Sequence, residues 1–416
     1  MRIALVAQPF DKVLPPGQNS IGIIIYETAI RLSQNCHTTV YSKGNEYTKT
    51  QRVIQGVNYR FIPLASDAFL FPLLSRISKH LFPTDHFFSS SLYYFLYILQ
   101  VALDLRLRQC DIVHLFNFSQ YVSIIKFFNP TIKVLLEMQC EWLTQLDKPL
   151  IENRLSRVDL ISGVSNHITN KIQARFPQYS SRCQTVFNGV DVDIAKYDYR
   201  IAKNETGTKP PDLLFVGRVS PEKGVHILIE AVQIVRRSFP KVRLAIIGAK
   251  GQLPFEYIVG LSDEDVVSEL SFFYRQNSSY YDQLVAQVRQ LKLETAISFL
   301  GKLPRKDLVR HYHAAKMLIN PSLSESFGMT LVEAMAASTP VIATRIGGMT
   351  DIVVDGETGY LTDPGDASPL AEAIIHLLSH AELRTSMGKA ARQRAIETFS
   401  WEQRAEDLLS RYRTIL

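Results

Sequence analysis

Along almost the whole chain, short runs of consecutive apolar residues alternate with longer stretches whose apolar positions recur every three or four residues. The first pattern is that of strands covered on both faces and the second that of amphipathic helices, so their alternation predicts parallel sheets layered with helices. IALVA (3–7), TTVY (38–41), DIVHLF (111–116), IKVLLE (132–137) and DLISGVS (159–165) form a first set of strands. DLLFVG (212–217), RLAIIG (243–248), AISFLG (296–301), MLINPS (317–322) and PVIAT (340–344) form a second. Between the sets, residues 197–211 read YDYRIAKNETGTKPP, a polar stretch closing on two prolines, and this predicts a hinge. The expected fold class is α/β: two doubly wound units over residues 1–196 and 197–399, with the helical stretch from Ser400 to Leu416, which holds Trp401, crossing back to the first.

Composition narrows the class without changing it. A chain of 416 residues has room for two domains, and 46% hydrophobic with 21% charged residues excludes disordered, collagenous and low-complexity classes. The formal charge of +6 is uneven: residues 1–200 hold 21 basic and 15 acidic side chains, and the remainder 25 of each. The N-terminal half therefore suits an anionic surface, although solubility alone is an equal reading. Cys36, Cys110, Cys140 and Cys183 form no CxxC pair or compact framework, which points to a reducing compartment. The opening MRIALVAQPF is too short for a signal-peptide core, and the apolar stretch 87–103 is broken by three serines and Gln100. The expectation is a cytoplasmic protein, possessing no membrane span and touching a membrane at most peripherally, at its inner face.

Ligands of open α/β sheets bind beyond the carboxyl ends of the strands. After the strand at 212–217, FVGRVSPEKG puts a turn at Gly217 and two cations, Arg218 and Lys223, before a helix, which together suit a diphosphate. After MLINPS, SESFGMTLVEAMA carries Glu325 on a loop and Glu333 about one turn inside a helix beginning near Met329. The backbone N–H groups of Phe327, Gly328, Met329 and Thr330 would then meet phosphate oxygens. The competing reading is a Thr330–Glu333 capping box, which leaves Glu325 unexplained.

These segments, with VFNGVDVDIA (186–195) and GGMTDIVVDGETGYL (347–361) in the same order, resemble the retaining glycosyltransferases of family 4, which have the GT-B fold of two Rossmann-like domains. The resemblance covers most of the chain. It implies transfer of a sugar from a nucleotide diphosphate sugar to a glycan or lipid-linked acceptor, with UDP-sugars slightly favoured and neither cofactor nor metal required. Arg218 and Lys223 would hold the donor diphosphate, Glu333 the ribose hydroxyls and Glu325 the sugar hydroxyls, with no protein nucleophile. Nucleic acid is not an expected partner. A nucleotide-sugar epimerase or hydrolase, and a catalytically silent nucleotide-sugar binder, are the alternatives.

Several positions depart from the family pattern. The loop PPGQNSIG (15–22) offers only Gly17 for close approach to the donor, with Gly22 packing instead. Asp351 stands where relatives commonly have Glu, and Gln139 where they often have a histidine near the reacting sugar; Gln can hydrogen-bond but not titrate. His114 is a second candidate for the missing histidine, against a packed structural role. Asn188 and Gly189 fit a turn in which the Asn bonds its own backbone. Asp191 and Asp193 form a DxD lookalike with metal-binding chemistry but the wrong motif order. Residues 68–108, aromatic and basic, read as an interfacial helix pair or as core helices, and 249–282 as an insertion without assigned role.

Overall fold

The computed structural model describes residues 1–44, 50–81, 86–193, 210–251, 254–262 and 264–416. They form two compact units, Met1–Gly189 with Trp401–Leu416, and Val190–Ser400. The hinge expected at 197–211 lies almost wholly outside the described residues.

The first unit is built on β1 (Arg2–Val6), β2 (His37–Lys43), β3 (Gln51–Ile54), β4 (Val57–Ile62), β5 (Ile112–Phe116), β6 (Lys133–Met138), β7 (Leu160–Gly163) and β8 (Cys183–Thr185). They lie in the order β3-β4-β2-β1-β5-β6-β7-β8, parallel apart from the antiparallel β3–β4 pair. That hairpin turns through Gln55 and Gly56, both at positive φ, the two-residue geometry that matches strand twist. β1, β5 and β6 are buried almost throughout because helices cover both faces, as their unbroken apolar runs require. The C-terminal helix Trp401–Ile415 packs on the helix Ser20–Leu32 and buries Trp401, Arg404, Ala405, Leu408, Leu409 and Tyr412, one helical face. Truncating the fully buried Leu408 to Ala costs about 2–5 kcal/mol.

The second unit holds β9 (Leu213–Val216), β10 (Leu244–Ile247), β11 (Ile297–Gly301), β12 (Met317–Asn320), β13 (Val341–Thr344) and β14 (Gly359–Thr362), all parallel in the order β11-β10-β9-β12-β13-β14. In each sheet the strand order reverses direction beside the first strand, at β1/β5 and at β9/β12. Such a switch point opens a crevice at the carboxyl ends of the strands, where ligands of doubly wound folds bind. The helix Val225–Ser238 covers β9 with Val225, Leu228, Ile229, Val232 and Val235, and the helix Ala367–Ser379 packs beside it.

The 249–282 insertion breaks into short helices at Phe255–Ile258, Asp265–Ser268 and Ser271–Tyr274. Val259, Val267 and Leu270 anchor it in the core of the second unit. It closes over His226, whose ring lies 4.7 Å from Phe273 and whose Nδ1 is 2.9 Å from the Tyr280 hydroxyl. Burial pushes the His226 pKa down to about 4, so the ring is neutral at neutral pH.

Candidate functional site

The second unit's switch point gathers the residues singled out from its two loops. Chain leaving β9 turns at Gly217, passes Arg218, makes a short turn at Pro221–Lys223 and enters the helix at Val225 through Gly224. Gly224 has φ +66° and a Cβ there would overlap the Pro321 carbonyl, so no other residue fits between the two loops. The Leu323 N–H donates to the Glu222 carbonyl at 2.8 Å and ties the loop after β12 to the loop after β9.

Arg218 does not wave in solvent. Its guanidinium donates to Glu222 Oε1 at 3.1 Å and its Nε to Ser220 Oγ at 3.3 Å, while Ser220 Oγ donates to the same Glu222 oxygen at 2.6 Å. Glu222 is buried, and the remaining exposed edge of the guanidinium is the part a ligand can reach. Lys223 Nζ meets Glu325 Oε2 at 2.8 Å, both side chains about one-fifth exposed, so the two motifs 102 residues apart close on each other. The Gly348 N–H holds the Glu325 carbonyl at 3.0 Å, and Gly347, at φ +53°, packs its backbone against that same carbonyl.

The helix Met329–Ala336 starts where the sequence suggests, with Gly328 at φ +112° as its N-cap and no side-chain cap. The Thr330–Glu333 capping box does not form, because Thr330 already lies inside the helix. Glu333 instead accepts a 2.6 Å hydrogen bond from the buried Tyr312 hydroxyl. Burial raises its pKa, with Tyr312 and Arg305 opposing the rise. Phe327 is buried and meets Phe399 edge to face at 5.9 Å, which leaves only its backbone for a ligand; Met329 and Thr330 are half-buried. Asp191 Oδ1 accepts the Asp193 N–H at 3.1 Å and its other oxygen lies 3.9 Å from Arg305, so the DxD lookalike is a turn with an ion pair. Asp351 sits in the short helix Met349–Ile352, its carbonyl bound by Arg394 at 2.6 Å.

In the first unit, Gln139 follows β6 with its amide nitrogen fully engaged. Nε2 donates to Glu137 Oε1 at 2.5 Å and to Asn188 Oδ1 at 3.0 Å, and Asn188 Nδ2 returns a 2.8 Å bond to Gln139 Oε1. The Asn188 side chain thus pairs with Gln139 rather than with its own backbone. Only one lone pair on Gln139 Oε1 remains for any further donor. Glu137 is completely buried, and both of its oxygens accept from Arg404 Nη2 at 2.8 Å; burial would raise its pKa, but the Arg404 charge outweighs this and holds it down to about 2. His114 is equally buried: Nε2 lies 3.2 Å from Glu137 Oε2 and Nδ1 2.7 Å from the Tyr412 hydroxyl, with the ring stacked on Phe116. Its pKa is lowered by burial, and its role is structural. Gly17, at φ +93°, has open space where a Cβ would be, whereas at Gly22 a Cβ would strike the Lys12 carbonyl. Gly189 similarly lies against the Trp401 ring.

Sequence reasoning passed over the residues that hold the others: Ser220 and Glu222 for Arg218, Tyr312 for Glu333, Glu137 and Arg404 for Gln139. Glu222 had a signal, adjacency to Lys223 in SPEKG. Tyr312 and Arg404 had none, because nothing local marks a partner that arrives from another element.

The stretch from before β9 to the helix Ala381–Phe399, residues 198–394, matches the family model described as glycosyl transferases group 1. Those residues form a group 1 glycosyl transferase domain. The loops bearing Arg218, Lys223, Glu325 and Glu333 all lie within it. The chain is 28% identical over 327 residues to spore coat protein SA of Bacillus subtilis (strain 168), covering 75% of this chain and 80% of that protein. It is 30% identical over 244 residues to glycogen synthase of Mycobacterium tuberculosis (strain CDC 1551 / Oshkosh), covering 59% of this chain but only 51% of that enzyme. Among solved structures, Anabaena Alr3699/HepE in complex with UDP and glucose superposes with a TM-score of 0.70 at 18% identity, over 100% of both chains. The fold is GT-B, as the sequence motifs led one to expect, and the domain is a glycosyltransferase domain. No helix among the described residues is long and apolar enough to cross a membrane.

Proposed function

We propose that this glycosyltransferase moves a sugar from a nucleotide diphosphate sugar to a hydroxyl of a glycan or lipid-linked acceptor, with retention of anomeric configuration and without a metal. The observation that carries the reading is the Lys223–Glu325 pair at the ends of neighbouring strands, with Arg218 braced beside it by Ser220 and Glu222. A diphosphate entering here exchanges places with the Glu325 carboxylate on Lys223, and the freed carboxylate accepts hydrogen bonds from sugar hydroxyls. Glu333, held by Tyr312 one turn into the helix, accepts from the ribose. As the bond from the anomeric carbon to the phosphate oxygen breaks, its electron pair leaves with the diphosphate. Two fixed cations and the N-terminus of the helix Met329–Ala336 stabilise that growing charge. The acceptor oxygen attacks from the face the diphosphate leaves, and its proton passes to the departing phosphate oxygen, so no side-chain nucleophile takes part.

The relative solved with UDP and glucose makes UDP-glucose the first donor to try. Incubation of purified protein with radiolabelled donor and an acceptor panel in EDTA should yield product of retained configuration by NMR. Free sugar or an epimerised donor as the only product would replace the reading with hydrolysis or epimerisation. Donor binding without turnover would replace it with a silent binder, and a strict Mn²⁺ requirement would contradict the metal-free site.

A further inference from the structure

The helix Ala65–Leu81 packs against the helix Phe95–Arg108 and the turn Phe87–Ser89, and it buries polar residues while exposing apolar ones. Its inward side carries Asp67, Phe71, Leu74 and Ser78; Asp67 and Ser78 are buried, and the Asp67 carboxylate accepts the N–H groups of Leu96 and Tyr97 at 2.9 Å each, capping the helix Phe95–Arg108. Phe71 locks into Phe87, Tyr93 and Tyr94. The outward side, at spacings of three and four, carries Phe69, Pro72, Leu73, Arg76, Ile77 and His80, all exposed. Phe69 is 85% and Leu73 56% accessible. The neighbouring helix Phe95–Arg108 repeats the arrangement, burying Ile98, Val101 and Leu105 while exposing Leu103, Arg106 and Leu107. The helix Val122–Phe128 packs on it and exposes Phe127.

Scattered exposed apolar residues need no explanation, but a row of them along the outer face of a helix does. We propose that these outward faces dock the first unit onto an anionic lipid surface, the helices lying in the plane of the headgroups. Charge selects this occupant. The only acidic residue of the Ala65–Leu81 helix is Asp67, which is buried; the only one of Phe95–Arg108 is Asp104, which is engaged by Arg60, Arg108 and Tyr41. The exposed ionisable groups on the two faces are therefore cationic or neutral, Arg76, His80 and Arg106, complementary to lipid phosphates and flanking side chains that can enter the acyl boundary. A convex helix row with cations at its flanks fits a flat, yielding surface better than the preformed groove a protein partner needs. The inference stands apart from the donor chemistry above, so either can fail alone.

The test is cosedimentation of the full chain with vesicles of neutral phosphatidylcholine, or of phosphatidylcholine mixed with phosphatidylglycerol, at low and physiological salt. Binding to the anionic vesicles only, weakened by salt, is expected. Arg76→Glu with Arg106→Glu should lower vesicle affinity roughly thirtyfold or more, since each cation contributes a factor of about five near such a surface. Phe69→Ser with Leu73→Ser should abolish binding while leaving the melting temperature unchanged, because both side chains are exposed in the fold. Equal binding to both vesicle types, no binding to either, or charge-reversed protein that binds as wild type overturns the proposal. So does a concentration-dependent dimer that Leu73→Ser dissolves in the absence of vesicle binding, which would make a second copy the occupant.

Discussion

Replacing Arg404 by Met should destabilise the first unit by about 3–5 kcal/mol, the cost of leaving a buried charge without its partner. The size follows from the surroundings of Glu137. Carboxylate and guanidinium are each at most 1% exposed, so solvent does not screen the pair, and Arg404 supplies two of the bonds that the carboxylate receives. A second route gives the same scale. A carboxyl held at about 2 in the folded chain, against 4.5 ordinarily, contributes roughly 3 kcal/mol. Because the folded pKa is the lower one, that contribution is complete above about pH 4.5 and is lost as the pH falls toward 2. Both tryptophans, Trp142 and Trp401, belong to the first unit, so fluorescence during guanidinium unfolding follows that unit alone. Wild type should lose stability between pH 4.5 and 2 through this group. In Arg404→Met, burial without the cation raises the carboxyl above its unfolded value, so through this group the variant should lose stability as the pH rises rather than as it falls. Glu137→Gln in the Arg404→Met background should recover part of the loss by removing the orphaned charge. An Arg404→Met protein within 1 kcal/mol of wild type, with an unaltered acid profile, would refute the account.

The other expectations concern the second unit. Arg218→Ala and Lys223→Ala should each reduce turnover roughly a hundredfold, and rates within about threefold of wild type in both would remove the diphosphate assignment. By isothermal titration, Glu333→Gln should weaken binding of the free nucleotide diphosphate while Glu325→Gln leaves it nearly unchanged and slows transfer; equal losses would mean the roles are exchanged or shared. Gly224→Ala, forced against the Pro321 carbonyl at positive φ, should cost about 2 kcal/mol or more and reduce the thermal shift given by nucleotide, whereas a neutral result would contradict the packing of the two loops. His226, with its folded pKa near 4 below the ordinary 6.5, contributes stability that is full above pH 6.5 and falls by roughly 3 kcal/mol toward pH 4. Scanning calorimetry of His226→Gln should show that part of the pH dependence gone.

The strands easiest to read in the sequence were those covered on both faces, such as LLFV at β9 and LAII at β10, because burial on both sides leaves a continuous apolar run. The β3–β4 hairpin escaped because β3 is an edge strand with exposed Gln51, Arg52 and Val53, and β8 because three residues carry no periodicity. At the site, Arg218, Lys223, Glu325 and Glu333 were legible from local chemistry at strand ends, where ligand-facing groups must lie close to a turn. What they pair with was not. The Lys223–Glu325 contact spans 102 residues and the Glu137–Arg404 contact 267, and no local pattern encodes a partner at that distance. The outward apolar row of Ala65–Leu81 was visible as composition in 68–108, but which side faced inward depended on Asp67 finding the start of the next helix.

The first unit is assembled from both ends of the chain, Met1–Gly189 and Trp401–Leu416, and this sets an order of events during synthesis. A growing chain folds by domains as they emerge, at about 5–20 residues per second. The second unit, Val190–Ser400, is continuous and can close as soon as Ser400 clears the ribosome. The first cannot, although its eight strands were all made earlier, because Trp401, Leu408 and Tyr412 of its core and the Arg404 guanidinium that neutralises Glu137 are encoded after Ser400. Until Arg404 arrives, the nascent sheet must keep Glu137 hydrated or protonated at its centre. Translation that stops short of residue 404 leaves a polypeptide whose second unit can be finished while its first has no means of closing.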